Sequence, residues 1–244
     1  MQNKVAEITL YFWILKVLAT TLGETTGDMI AHTLHLGYAV GLLVTGIMLL
    51  SLLLFQIRSE KFYSLLFWAC IIGTTTVGTE VSDFMDRTLG IGYAYGSVVL
   101  VTGLLAVLAF WHATEKNLKV YPIDRRRPEI MFWLAVLFSN SLGTAFGDYL
   151  SDDLGLGYMQ GALVTSFVIA VVILLHYVSR INQVFLFWVA FIFTRPFGAT
   201  FGDLLTKPLD HGGLDLGTIP ASLVTVCVFI AVLGVSKRAR VVAR

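Results

Sequence analysis

The chain of 244 residues is 57% hydrophobic and only 14% charged, with a mean hydropathy of +0.80. That composition excludes an ordinary soluble domain and points to a bilayer. Its 17 basic and 16 acidic residues nearly cancel, so the placement of charge along the chain says more than its sum. Nothing in it suggests nucleic acid binding; the basic loops are expected to meet anionic lipid instead.

In chain order, apolar stretches near 7–33, 38–57, 62–87, 93–113, 130–151, 158–179, 183–206 and 217–236 predict eight helices. Each approaches or exceeds the roughly 20 residues that a spanning helix needs. The first stretch contains a whole repeat unit and lacks a convincing cleavage site, so it is expected to be retained and not removed as a signal peptide. Cys70 and Cys227 lie inside apolar runs without metal-binding spacing and read as spectator thiols. Residues 114–129, with Tyr121-Pro122 and Arg125, Arg126 and Arg127, form the longest polar interruption and divide the chain into two halves. Lysines and arginines gather in the segments on the side of the two termini, whereas the opposite loops keep only Arg87 and Lys207. The positive-inside rule then places both termini in the cytoplasm.

Four tryptophans, Trp13, Trp68, Trp133 and Trp188, each precede an aspartate by 15 residues, at Asp28, Asp83, Asp148 and Asp203. Five residues before each aspartate stands a glycine (Gly23, Gly78, Gly143, Gly198), and directly before it come Gly27, Ser82, Gly147 and Gly202. Nine residues after it come Gly37, Gly92 and Gly157, each followed by tyrosine; in the fourth copy Gly217 takes this place after a five-residue insertion. Repetition this dense defines four tandem units, approximately 7–57, 62–113, 127–179 and 182–236, in one integral membrane domain over 1–244. Two spans per unit return the chain to its starting side, so the repeats are parallel. The expected fold is an all-α membrane protein of eight transmembrane helices from four two-helix repeats, paired as two four-helix halves. The tryptophans suit near-interfacial packing.

Small residues four apart let helices approach closely, and the aspartate beside each stripe should turn into the bundle. The four carboxylates therefore form one acidic layer toward the outer end of the odd-numbered helices. Thr20, Thr75, Asn140 and Arg195 share a position eight residues before the aspartates. This polar column fits a water-lined cavity or a bound ion; hydrogen bonding between helices is the alternative. The copies also differ. Glu24 and Glu80 pair with Asp28 and Asp83 at helical spacing, and His32, Arg87, Asp152 and Lys207 follow the aspartates by four residues. Asp83 and Asp203 thereby gain a cation each, while Asp28 and Asp148 gain none. Glu24, Asp28, His32 and His35 run down a single helical face, a donor set suited to manganese, iron or zinc. Lys16 lies near enough to the helix start to snorkel, and Arg195, deeper and next to Pro196, needs a carboxylate or carbonyl partner.

These units, each with two apolar spans and a tryptophan in the first, resemble the bacterial integral membrane proteins built from four copies of a repeat of unknown function. The resemblance covers Trp13 to about Val232 and implies eight spans and an inner-membrane location. Gly-Glu-x-x-Gly-Asp at Gly23 to Asp28 is also loosely similar to the acidic motifs of manganese and calcium exporters, although the spacing differs and only this copy has the glutamate. The function expected is cation transport, of a divalent metal such as manganese and coupled to protons. Glu24, Asp28, Glu80, Asp83, Asp148 and Asp203 would bind the ion or carry protons, with Glu24, Asp28 and His32 as metal ligands. A metal ion is expected as substrate, with no resident cofactor. The alternative is a non-transporting module with a buried salt-bridge network. No nucleophile elbow, HExxH or phosphate-binding glycine loop is present, so no enzyme is expected. Oligomeric state is left open.

Overall fold

The computed structural model describes the backbone of residues 3–242; the side chains of His32, His211 and residues 240–242 lie outside the described set. Eight long helices make up the chain: α1 (Leu10–Asp28), α2 (Gly37–Arg58), α3 (Ser64–Asp83), α4 (Tyr93–Glu115), α5 (Arg126–Asp148), α6 (Gly157–Val178), α7 (Gln183–Thr206) and α8 (Thr218–Val242). No strand occurs among the described residues. Seven of the helices are long and apolar enough to cross a membrane. The exception is α1, whose buried positions include Lys16, Thr20, Thr21, Glu24, Thr25 and Asp28. Its polar side is turned into the protein, so it is enclosed more by its neighbours' side chains than by its own apolarity.

The odd helices form a closed inner ring in the order α1, α3, α5, α7 and back to α1. Each even helix lies outside and packs mainly on the odd helix of the following repeat: α2 on α3, α4 on α5, α6 on α7, and α8 on α1. The last contact closes the ring. Inner and outer helices differ accordingly: 61% of the spanning window of α3, α5 and α7 is buried, against 22% for α2, α4 and α6. Large apolar side chains such as Leu43, Ile47, Val98, Leu105, Leu163, Phe167, Leu223 and Val228 remain exposed on the outer helices.

The expected division into two four-helix halves has no counterpart in this packing, because α3 lies along α5 as α1 lies along α3. The physical reason is the glycine stripe, which recurs in every repeat and makes each junction equally close. A Cβ placed on Gly23 would meet Thr75, one on Gly78 would meet Asn140, one on Gly143 would meet Arg195, and one on Gly198 would meet Thr20. Each glycine thus faces the polar-column residue of the next repeat around the ring. Thr20 donates across it to the Thr194 carbonyl at 3.2 Å, Thr75 to the Ala19 carbonyl at 3.0 Å, and Asn140 to Thr74 Oγ1 at 3.1 Å. Thr20, Thr75 and Asn140 of the column therefore hydrogen-bond between helices.

A phenylalanine precedes each repeat tryptophan, and Phe12, Phe67, Phe132 and Phe187 all pack in the main core cluster at the end of the bundle that carries the chain termini. Trp68, Trp133 and Trp188 are buried beside them, so these tryptophans pack in the core at that end of the bundle. Lys4 seals the same end. It is buried, donates to the Glu129 carboxylate and to the Ile57 carbonyl, and Gln56 donates to Glu129 Oε1 at 3.2 Å.

Candidate functional site: an acidic cavity

Each of α1, α3 and α5 ends at its repeat aspartate and continues as a single π turn, Met29–Thr33, Phe84–Thr88 or Tyr149–Asp153. A π turn advances more residues per turn than an α-helix, so side chains beyond the aspartate leave the face that α spacing predicts. Seven residues past the aspartate the chain adopts positive φ at His35, Gly90, Gly155 and, after the insertion, Asp215. His35 is an exposed turn residue, occupying a left-handed place that two other repeats fill with glycine. The expected Glu24–Asp28–His32–His35 stripe is thus broken after Asp28, and the His32 side chain lies outside the described residues.

The four aspartates, each buried, do converge. Together with Glu24, Arg87, Asp152, Tyr158 and Lys207 they line a cavity of about 490 Å³ at the end of the bundle opposite the termini. Six carboxylates face two cations in this lining. The cations link neighbouring repeats around the ring. Lys207 Nζ lies 3.2 Å from Asp203 Oδ1 and 2.6 Å from Asp28 Oδ2, and Arg87 lies 3.8 Å from both Asp83 and Asp152. Asp28 therefore has a cation after all, donated by the fourth repeat. Burial works against the charge of Lys207, yet Asp203 and Asp28 outweigh it and hold its pKa above the ordinary lysine value.

Among the described residues, Asp148 alone of the four aspartates has no side-chain hydrogen bond or ion pair; only its backbone carbonyl is engaged, by Ser151. One oxygen each of Asp148, Glu24 and Asp203 lie within 4.8 Å of one another. Two oxygens on opposite sides of a cation at about 2.4 Å are separated by about 4.8 Å, so these three carboxylates have the spacing of ligands to an ion of calcium or manganese size. Of the ligand set Glu24, Asp28 and His32 read from the sequence, Glu24 belongs to this group of three, Asp28 is paired with Lys207, and the His32 side chain lies outside the described residues.

Glu80 is not part of the cavity lining. It stands three residues before its aspartate, whereas Glu24 stands four before; one residue is about 100° of helix rotation. That rotation points Glu80 into the seam with α2, where a Cβ on Gly41 would lie 2.7 Å from Oε1. Both of its oxygens are buried without a hydrogen-bond partner. The equivalent seam position in the first repeat is Thr25, which bonds Ser222 of α8 at 2.8 Å.

Beneath the cavity, Arg195 is fully buried. Its Nη2 lies 2.7 Å from Glu24 Oε2, 2.6 Å from Thr79 Oγ1 and 2.5 Å from Thr144 Oγ1. Lower still, Lys16 does not snorkel: its Nζ donates to Asn140 Oδ1 at 2.9 Å and sits 4.3 Å from the centre of the Phe191 ring.

The model of a family described as a Repeat of Unknown Function (DUF347) matches the chain four times, at residues 11–62, 66–117, 131–182 and 186–241. The chain belongs to this family. Each matched unit contains one Trp-to-Asp interval and one inner and one outer helix, so the DUF347 repeat corresponds to the structural unit of the ring. No curated protein and no solved structure matches the chain.

Proposed function

We propose that this DUF347 protein is a multi-pass protein of the bacterial inner membrane, with both termini in the cytoplasm, that binds a divalent cation in the acidic cavity and carries it across in exchange for protons. The membrane part of this reading is supported by seven spanning-length apolar helices, an outer ring with exposed apolar faces for lipid, and basic loops on the side of the termini. The cation part rests chiefly on Asp148. Three carboxylates held within 4.8 Å of one another, one of them without a protein partner, repel unless a cation joins them, a proton neutralises one or cavity water screens them, and the cation is the partner proposed here. Oxygen ligands alone favour hard ions such as Mn²⁺ or Ca²⁺ over the softer metals. The test is metal content of cells with and without the protein, followed by Mn²⁺ flux into proteoliposomes. Unchanged content for every divalent ion contradicts the reading.

A second reading has its own observation. Arg195 with Glu24, and Lys207 with Asp28, tie the fourth repeat to the first, and Lys207 also pairs with Asp203 of its own repeat; such ion pairs would serve a non-transporting membrane module. Replacing Asp28 and Asp148 by Asn separates the two: loss of folding without any ion-dependent change favours the module.

A further inference from the structure

The axis below the cavity carries the most unusual group in the molecule. Four residues before the repeat aspartates the ring presents Glu24, Thr79, Thr144 and Ala199. The first three converge on Arg195 Nη2 from three different helices, while Ala199 adds only a methyl group. Arg195 comes from one turn lower on α7 than Ala199, so its Nη2 meets the three other inner helices at the level of residues one turn beneath the aspartates. Arginine keeps its charge in any protein environment, and a fixed positive charge on the axis of a conduit repels cations. Among the described residues, Arg195 Nε and Nη1 have no hydrogen-bond partner, and Glu24 is the one carboxylate paired with it.

Glu24 thus serves two cations. It is the carboxylate partner of Arg195, and it is one of the three carboxylates spaced for an ion. We propose that Arg195 is a tethered cation that competes with the substrate cation for Glu24 and closes the axis beneath the site. This rests on the cation-binding reading of the cavity. An ion bound among Glu24, Asp148 and Asp203 repels the guanidinium and weakens its hold on Glu24, while Thr79 and Thr144 still accept from Nη2. Site occupancy is thereby felt one layer deeper in the bundle, and free passage of cations along the axis is prevented. Such a device belongs to a carrier and not to an open channel.

The experiment is calorimetric titration of the purified chain in nanodiscs with Mn²⁺ and with Ca²⁺, for wild type and for Arg195→Lys, Arg195→Gln and Arg195→Ala. Removing the competing charge should tighten binding on the order of tenfold in the Gln and Ala variants, and Arg195→Lys should stay near wild type. Added guanidinium should weaken binding to Arg195→Ala and leave wild type unaffected, an effect that a purely structural arginine would not produce. Wild-type affinity or weaker in folded Gln and Ala variants, with no effect of guanidinium, overturns the competition while wild-type binding keeps the cavity reading. Absence of binding to wild type overturns both. If the Arg195 variants do not fold, Thr79→Val with Thr144→Val leaves Arg195 dependent on Glu24 alone; binding should then weaken several-fold, and unchanged affinity contradicts the proposal.

Discussion

Replacing Asp148 by Asn should make the ion-free protein more stable and abolish its stabilisation by cations. The substitution keeps the side-chain shape and removes one charge from three that lie within 4.8 Å of one another. At an effective dielectric of about 20, each like-charge pair at this distance costs about 3.5 kcal/mol, and Asp148 takes part in two of them. Arg195 on Glu24 and Lys207 on Asp203 offset part of this repulsion, and the cavity admits water. The expected gain is therefore about 1–3 kcal/mol, a rise in Tm of a few degrees up to roughly 10 °C for a chain of this size. A cation at a hundred times its Kd should stabilise wild type by about 2.7 kcal/mol and Asp148→Asn by far less. The assay is thermal unfolding in nanodiscs at pH 8, with chelator and then with Mn²⁺. A variant that loses stability in chelator and keeps the full Mn²⁺ shift refutes the reasoning, since Asp148 would then be neither repelled nor a ligand.

Other consequences follow from the packing. Gly78→Leu and Gly143→Leu should abolish folding or cost more than about 3 kcal/mol, because their Cβ positions are filled by Asn140 and Arg195; Gly46→Ala, with nothing within 4 Å, should be neutral or stabilising by about 0.5–1 kcal/mol, read from detergent-resistant monodisperse yield and Tm. Lys4→Ala or Glu129→Ala alone should destabilise by about 3–5 kcal/mol, and Lys4→Met combined with Glu129→Leu should recover most of it, as measured by a double-mutant cycle. Glu80→Met replaces a buried carboxyl without partners by an apolar chain of similar length; Tm should hold or rise, and Mn²⁺ affinity should not change, whereas a loss of affinity would return Glu80 to the ion site.

The inner ring was legible because its cause is repeated in the chain. The Trp-to-Asp interval and the glycine five residues before each aspartate specify four equivalent helices that approach closely, and the same register brings Asp28, Asp83, Asp148 and Asp203 to one cavity. The order of neighbours was not legible. Nothing local says that α8 packs on α1, or that Lys207 reaches Asp28 across the closure of the ring. Glu24 and Glu80 looked alike because both are near an aspartate at helical spacing, yet positions three and four before it point to different neighbours. Thr25, Glu80 and Thr200 opposite Ser222, Gly41 and Gly161 carried that signal, each a seam residue facing a small partner. The phenylalanine before every tryptophan is an equally regular core signal. The π turns were not, and they are why His35 leaves the stripe.

The central claim is that Glu24, Asp148 and Asp203 hold a cation. Anomalous diffraction from crystals grown with Mn²⁺, or a cryo-EM map with and without it, tests this most directly. The account predicts one strong site in the cavity, about 2.1–2.4 Å from an oxygen of each of the three carboxylates, with Asp28 still on Lys207. Density for no ion there, with Asp148 drawn instead onto Arg87 or Lys207, would contradict it.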